Sequence, residues 1–373
     1  MFDLGRAREE FPIVEEAVFL NHAAAGPIPR RSQEAMAGVI ADYVRHALLH
    51  KADWDARTRR VREQGARLLN ARPDQIAFIK NTSEGLSLAA NGIDWRPGDN
   101  AVVPADDFPS VVYPWLNLAG QGVETRRVAA REGRVLVDDI RDAIDSQTRA
   151  VAISTVQFKS GFRCDLAAIG ALCREHDLLF VVDGIQSLGA LALDVRACGI
   201  DIVAADAHKW LLGPTGIGLF YCSDRALARL KVRTVGWLSV ADPFQFHYRL
   251  DLLPDARRFE PGSENSIGIY GLGGTLDLIE ECGIAAIEDR VLGLTDLLCD
   301  GLLRKGYRIA SPRGERERSG IVIFTSPAHP TDDLFARLSA ERIVVSVRGG
   351  GIRVSPHYYN SEAEIEQLLA CLP

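Results

Sequence analysis

The 373 residues carry a formal net charge of −7, with hydrophobic residues at 47% and charged residues at 25%. This is the balance of a globular chain too long for one ordinary core, so two domains are expected. The acidic surplus and the lack of a basic run argue against a nucleic-acid partner, and the lack of a long apolar run argues against a membrane-spanning segment.

The opening stretch, MFDLGRAREEFP, has no apolar core of the kind a secretory signal needs, and a cytoplasmic protein is expected. Ser32 is read as the cap of a helix whose apolar residues Met36, Val39, Ile40, Tyr43, Val44 and Ala47 recur at helical spacing. A second helix runs from about Trp54 to Leu69. Short apolar runs then alternate with helical stretches. Strands are expected at Ile76–Ile79, Ala101–Val103, Ala150–Thr155, Leu178–Val182, Ile202–Ala204 and Ile217–Tyr221. Helices are expected at Glu84–Asn91, Val111–Gly120 and Asp165–Glu175, the last capped by Asp165. Unbroken apolar strands are buried on both faces, so the sheet is mostly parallel with helices on each side, and a ligand is expected beyond its carboxyl edge. After about Leu253 the texture changes. A long helix begins near Ile267, and the tail from Tyr307 to Leu372 alternates short strands and helices. This predicts a large domain over 15–255 and a smaller α+β domain built from 256–373 with residues 1–14. The seven cysteines are scattered and never form C-x-x-C, so reduced thiols filling the core are expected, with no metal site and no disulfide framework.

Three strand ends carry residues that suit chemistry. Lys209 follows the strand Ile202–Ala204 within Asp206-Ala207-His208-Lys209-Trp210, in apolar and glycine-rich surroundings. It is either a surface loop lysine or a buried amine whose lowered pKa leaves it able to attack a carbonyl. Asp183 ends the strand Leu178–Val182, where an acid either caps a helix or pairs with a protonated pyridine nitrogen. Asn81-Thr82-Ser83-Glu84-Gly85 opens a helix after the first strand, as a capping sequence or as an anion cradle. An anion cradle, an acid and a lysine, in that order, are far more specific together than any one alone, and they suit pyridoxal 5'-phosphate (PLP) held by Lys209 as a Schiff base.

With these residues the chain resembles the class V aminotransferase family, fold type I of the PLP enzymes. The likeness also runs through Phe19-Leu20-Asn21-His22-Ala23-Ala24-Ala25-Gly26-Pro27, Asp107-Phe108-Pro109-Ser110, Tyr113-Pro114-Trp115, Val182-Asp183-Gly184-Ile185-Gln186-Ser187, Arg258-Phe259-Glu260-Pro261-Gly262-Ser263 and Ile352-Arg353-Val354-Ser355-Pro356-His357-Tyr358-Tyr359-Asn360. The resemblance implies a seven-stranded, mostly parallel large-domain sheet, PLP, and a homodimer with a shared active site. It implies that Asp183 pairs with the pyridine nitrogen and Gln186 bonds the phenolic oxygen. Thr82, Ser83 and His208 would hold the phosphate, with Ser263 reaching it from the partner subunit. Phe108 would stack on the ring where many relatives place histidine, which leaves the proton work to Lys209. Arg353 would grip the α-carboxylate of a small amino acid, with Asn21 and Gln157 as weaker substrate contacts. Arg348 is either a second anchor or a solvated loop charge. Trp237, Phe244, Phe246 and Tyr248 suggest either an aromatic wall to the substrate pocket or core.

One departure matters. Cysteine desulfurases carry a catalytic cysteine on a loop shortly before the arginine matched by Arg353. Here that segment is Arg348-Gly349-Gly350-Gly351-Ile352-Arg353, and it holds no cysteine. The reading is therefore transamination or β-elimination of a C–S lyase type. The alternatives are desulfurase-like or epimerase chemistry, or a non-catalytic binding protein on the same fold. A nucleotide-binding Rossmann enzyme is disfavoured, since no G-x-G-x-x-G follows the early strands.

Overall fold

The computed structural model describes residues 3–373. A short helix α1 (Leu4–Glu9) and strand β1 (Val18–Phe19) lead into two long helices, α2 (Arg30–His46) and α3 (Lys51–Leu68). Then come β2 (Ile76–Ile79), α4 (Thr82–Gly92), β3 (Asn100–Pro104), α5 (Pro109–Leu116), β4 (Glu124–Val128), α6 (Val137–Ala143), β5 (Thr148–Ser154) and α7 (Leu166–Glu175). β6 (Leu179–Asp183), β7 (Ile202–Asp206), β8 (Gly218–Cys222) and α8 (Asp224–Arg229) complete the large unit.

These strands form one seven-stranded sheet in the order β2-β8-β7-β6-β5-β3-β4. The pairs β3–β4, β3–β5, β5–β6 and β6–β7 are parallel. β8 runs antiparallel to both its neighbours, β2 and β7. Two reversals cancel, so β2 points the same way as β3, β5, β6 and β7. The carboxyl ends of all these strands therefore lie along one edge, and this places the site. Every residue of β2, β3, β6, β7 and β8 is buried, as unbroken apolar strands require when helices cover both faces. β4 was not expected from sequence. Its residues ETRRV are mostly polar because it is an edge strand left half open to water, unlike β2 at the other edge, which is covered.

The smaller unit follows two long helices, α9 (Ser266–Cys282) and α10 (Ile284–Arg304), broken at Gly283. Its elements are β9 (Arg308–Ile309), β10 (Val322–Thr325), α11 (Thr331–Ala340), β11 (Ile343–Val344), β12 (Ser346–Arg348), β13 (Gly351–Val354) and α12 (Glu362–Cys371). Four of the strands make an antiparallel sheet in the order β12-β13-β10-β9, while β11 pairs in parallel with β1. Leu298, Leu302, Phe324, Leu338, Ile352, Ile365 and Leu368 form its core. At the start of the chain Phe11, which belongs to the large core, stacks on Tyr359 with ring centroids 4.0 Å apart, and Arg8 pairs with Glu364 of α12 at 3.0 Å.

The first long helix corrects one expectation. It begins at Arg30 behind Pro29, whose φ of −70° already suits a helix start. Ser32 is not the cap. It is buried one turn in, and its hydroxyl donates to the Gly271 carbonyl of α9 at 2.7 Å. Ile40, Tyr43 and Val44 face outward at 45%, 45% and 82% exposure, so most of the expected apolar face does not meet the core.

Candidate active site

A cavity of about 360 Å³ opens at the carboxyl edge of the large sheet. It is lined from successive strand ends by Asn81, Thr82 and Ser83 after β2, Phe108 and Ser110 after β3, and Phe158 after β5. Ile185 and Gln186 come from beyond β6, and Asp206, His208 and Lys209 from β7 and its exit. Arg348 and Arg353 reach in from the small unit.

Lys209 is 7% exposed, and its amine lies 5.2 Å from the centre of the Phe108 ring. Burial lowers its pKa to about 8, with Arg353 pushing the same way and Asp183 opposing. The loop that carries it is held from behind. His357 donates through Nε2 to the Trp210 carbonyl at 2.9 Å, since its Nδ1 already accepts from the Tyr358 N–H at 2.8 Å. Gly26 donates its N–H to the His208 carbonyl at 2.8 Å, and a β-carbon there would come within 2.5 Å of the Lys209 carbonyl. Only glycine lets the N-terminal segment cross the lysine loop so closely.

Asp183 sits at the end of β6 and is 1% exposed. Its Oδ1 accepts from the Ile185 N–H at 2.9 Å, while Oδ2 has no partner among the described residues. No helix follows, so the acid does not serve as a helix cap. Burial pushes its pKa up to about 7, the Ile185 hydrogen bond opposing, the nearby Asp107 charge adding and Lys209 opposing. A buried carboxylate oxygen left open beside a lysine is what a protonated pyridine nitrogen would satisfy. Gln186 is oriented by Trp210, whose indole N–H can only donate and so faces Oε1 at 2.9 Å. Its Nε2 then gives one hydrogen to the Ala23 carbonyl at 3.1 Å and keeps a second.

At the other end, α4 starts at Thr82 with Asn81 as its cap, Oδ1 accepting from the Glu84 N–H at 2.9 Å. The first-turn N–H groups of Thr82 and Ser83 have no intrahelical acceptor and suit an anion. The Thr82 hydroxyl accepts from the Asp206 N–H at 3.0 Å, and the Ser83 and Ser110 hydroxyls meet at 2.7 Å. His208 Nδ1 lies 3.0 Å from Asp206 Oδ2, close enough for charge contact but without hydrogen-bond geometry, so that nitrogen remains unsatisfied. The donor set fits a phosphate at the helix start, and the open Asp183 Oδ2 would suit a protonated ring nitrogen.

Arg353 is 3% exposed, and no carboxylate pairs with it among the described residues. Its Nε donates to Ser346 Oγ at 3.1 Å and Nη1 to the Phe158 carbonyl at 3.4 Å. Burial, then Arg348, lowers its pKa to about 10. An unpaired, desolvated guanidinium facing a cavity calls for an anionic ligand.

Some expected residues fall elsewhere. Gln157 is buried off the cavity wall, donating to Asp107 Oδ2 at 3.0 Å, and its neighbour Phe158 lines the cavity instead. A turn begins here, the N–H groups of Ser160 and Gly161 both returning to the Gln157 carbonyl, and it carries Phe158 to the cavity side while Gln157 stays with Asp107. Asn21 lies outside the lining, bridged to Ser355, with its Oδ1 buried and unpartnered. Ser263 is exposed and outside this chain's own cavity. Trp237, Phe244, Phe246 and Tyr248 form neither cavity wall nor core, standing 46%, 64%, 67% and 98% exposed. Asp107, given no role from sequence, anchors the wall: it accepts from the Ser154 hydroxyl at 2.6 Å, the Phe108 N–H at 2.7 Å and the Ser154 N–H at 2.9 Å. Its place directly before Phe108 was the available signal.

The fold and the site define a PLP-dependent enzyme of fold type I. Residues 18–368 match the family model for class V aminotransferases, and the chain belongs to that family. It is 31% identical, over 97% of its length and 95% of the relative's, to a probable cysteine desulfurase of Methanothermobacter thermautotrophicus. An apo cysteine desulfurase structure from Thermococcus onnurineus NA1 superposes with a TM-score of 0.88 at 25% identity, covering 98% of this chain and 96% of that one. The cystine C–S lyase C-DES, in complex with its product cysteine persulfide, shares the fold with a TM-score of 0.87 at 24% identity, covering 96% and 98% of the two chains.

Proposed function

We propose that the enzyme is a carbon–sulfur lyase that removes the sulfur substituent from a small cysteine-derived amino acid by β-elimination. PLP, when bound, supplies the electron sink that stabilises negative charge at the substrate α-carbon. Lys209 supplies the amine that holds the cofactor and then takes the α-proton, since Phe108 has no group that could. Arg353 holds the α-carboxylate. Asp183 would keep the pyridine nitrogen protonated, and the α4 N-terminus with Thr82, Ser83 and His208 would hold the phosphate. The observation that carries this reading is the open Oδ2 of buried Asp183 within electrostatic reach of Lys209. The relatives named cysteine desulfurases support work at a C–S bond. Among the described residues no cysteine lines the cavity, and the segment before Arg353 turns through Gly349 and Gly350 alone, so elimination through Lys209 is favoured over sulfur transfer to the protein.

The test is reconstitution with PLP, followed by addition of cysteine and cystine. Elimination releases pyruvate and ammonia, whereas transamination leaves the sulfur in an oxo acid. Borohydride reduction should fix the cofactor on wild-type protein and not on Lys209→Ala; a variant that still retains it would sink the assignment. Because the amine must be neutral to react, the rate of cofactor uptake should rise with pH through about 8. We also propose a homodimer in which Ser263 approaches the partner's phosphate site. Its support is the exposed apolar surface of Tyr43, Val44, Leu49, Phe244 and Phe246. Light scattering that gives a monomer mass would refute it.

A further inference from the structure

Two arginines face the same cavity, and the sheet register explains how. In the β12–β13 hairpin Ser346 stands opposite Arg353 and Arg348 opposite Gly351. Side chains alternate along a strand, so Ser346, Arg348 and Arg353 share one face, with Arg348 diagonal to Arg353 at a backbone spacing of roughly 7–8 Å. The turn between the strands is Gly349-Gly350, with φ of +59° and +80°. A β-carbon on Gly349 would come within 2.4 Å of the Lys159 carbonyl, so the tip lies tight against the segment that carries Phe158. Arg353 is buried at the inner end of the cavity, while Arg348 is exposed and lines the same cavity.

Neither arginine has a carboxylate partner among the described residues, although acids are close by. Asp106 pairs with Lys159 at 3.3 Å, Asp206 contacts His208, and Asp107 is taken by Ser154 and Gln157. Two unneutralised guanidiniums on one hairpin face repel each other. One α-carboxylate answers Arg353 and leaves Arg348 unmatched.

We propose that the cavity selects amino acids whose side chain ends in an anion, with Arg348 as the residue that reads that second charge. This rests on the assignment of Arg353 to the α-carboxylate. A substrate held there extends its side chain away from the buried arginine toward the exposed one. The substrate class is thus an α-amino acid with a carboxylate, or an equivalent oxyanion, on its side chain or on the departing thiol.

The test uses PLP-loaded enzyme and pairs of nearly equal shape that differ in charge: S-carboxymethylcysteine against S-carbamoylmethylcysteine, and aspartate against asparagine. Apparent Kd is read from the change in cofactor absorbance, independently of turnover. Wild-type enzyme should bind the acid of at least one pair about three- to tenfold more tightly, as a partly exposed ion pair gives. In Arg348→Gln that ratio should fall to about one. Circular dichroism and the melting temperature check that the exposed substitution leaves the fold intact. A ratio near one for both pairs in the wild type, or a preference that survives in Arg348→Gln, overturns the proposal while leaving the lyase reading in place. No spectral change with any amino acid overturns both.

Discussion

Replacing Asp183 by Asn separates what the residue costs the fold from what it does for the cofactor. In the cofactor-free protein its carboxyl is 1% exposed and its pKa is pushed from 3.8 to about 7, chiefly by burial. The folded state then binds this proton more tightly than the unfolded chain. Between about pH 4 and 7 the native state therefore holds more protons, and stability falls as pH rises; above about pH 7 the loss is complete. The full shift corresponds to about 4 kcal/mol as an upper bound. Asparagine keeps an oxygen for the Ile185 N–H and carries no charge. The cofactor-free Asp183→Asn protein should thus be more stable than wild type at about pH 8, by up to a few kcal/mol, and the gap should close toward pH 4. With PLP the order should reverse, because the carboxylate's partner is then present; losing a charge-assisted bond weakens cofactor affinity roughly ten- to a hundredfold. Urea unfolding of both forms across this pH range, with and without PLP, measures both effects. A cofactor-free variant no more stable than wild type at high pH, or a gap independent of pH, would refute the assignment of that burial cost to Asp183.

Two further expectations concern the rest of the site. Arg353→Gln should weaken amino-acid binding roughly ten- to a hundredfold in a spectral titration while the cofactor remains bound, because the buried guanidinium lines the cavity with no carboxylate partner among the described residues and is proposed to hold the α-carboxylate. His22 and His357, both fully buried, have pKa values lowered by burial, that of His357 to about 4 and that of His22 well below its usual value. A base whose folded pKa is depressed costs nothing above about pH 6.5, and the fold loses stability as pH falls from there toward about 4. Melting curves should show this acid loss, and it should shrink in His357→Gln, whose amide can still donate to the Trp210 carbonyl.

Much of this was legible before any coordinates. An apolar run followed by a polar cluster is a local signal, and the runs ending at Ile79, Val182 and Ala204 marked strands whose exits carry Asn81–Ser83, Asp183 and Lys209. The alternation of these runs with helical stretches was enough to specify a parallel sheet with covered faces and a ligand edge. Four features depended on which segment came to lie beside which. β8 inserts antiparallel between β2 and β7, and only that reversal brings the Thr82 helix start to the same edge as Lys209. β4 carries too little apolar surface to announce itself, because an edge strand can leave its side chains in water. The turn that closes on the Gln157 carbonyl decides which side chain meets the cavity, so Phe158 does and Gln157 stays with Asp107. The pairing of Arg348 with Arg353 on one face arises from a hairpin register set by a two-glycine turn. Residue type and local periodicity determined the elements and the chemistry at their ends; packing and strand register, which are non-local, decided which of those ends share a cavity.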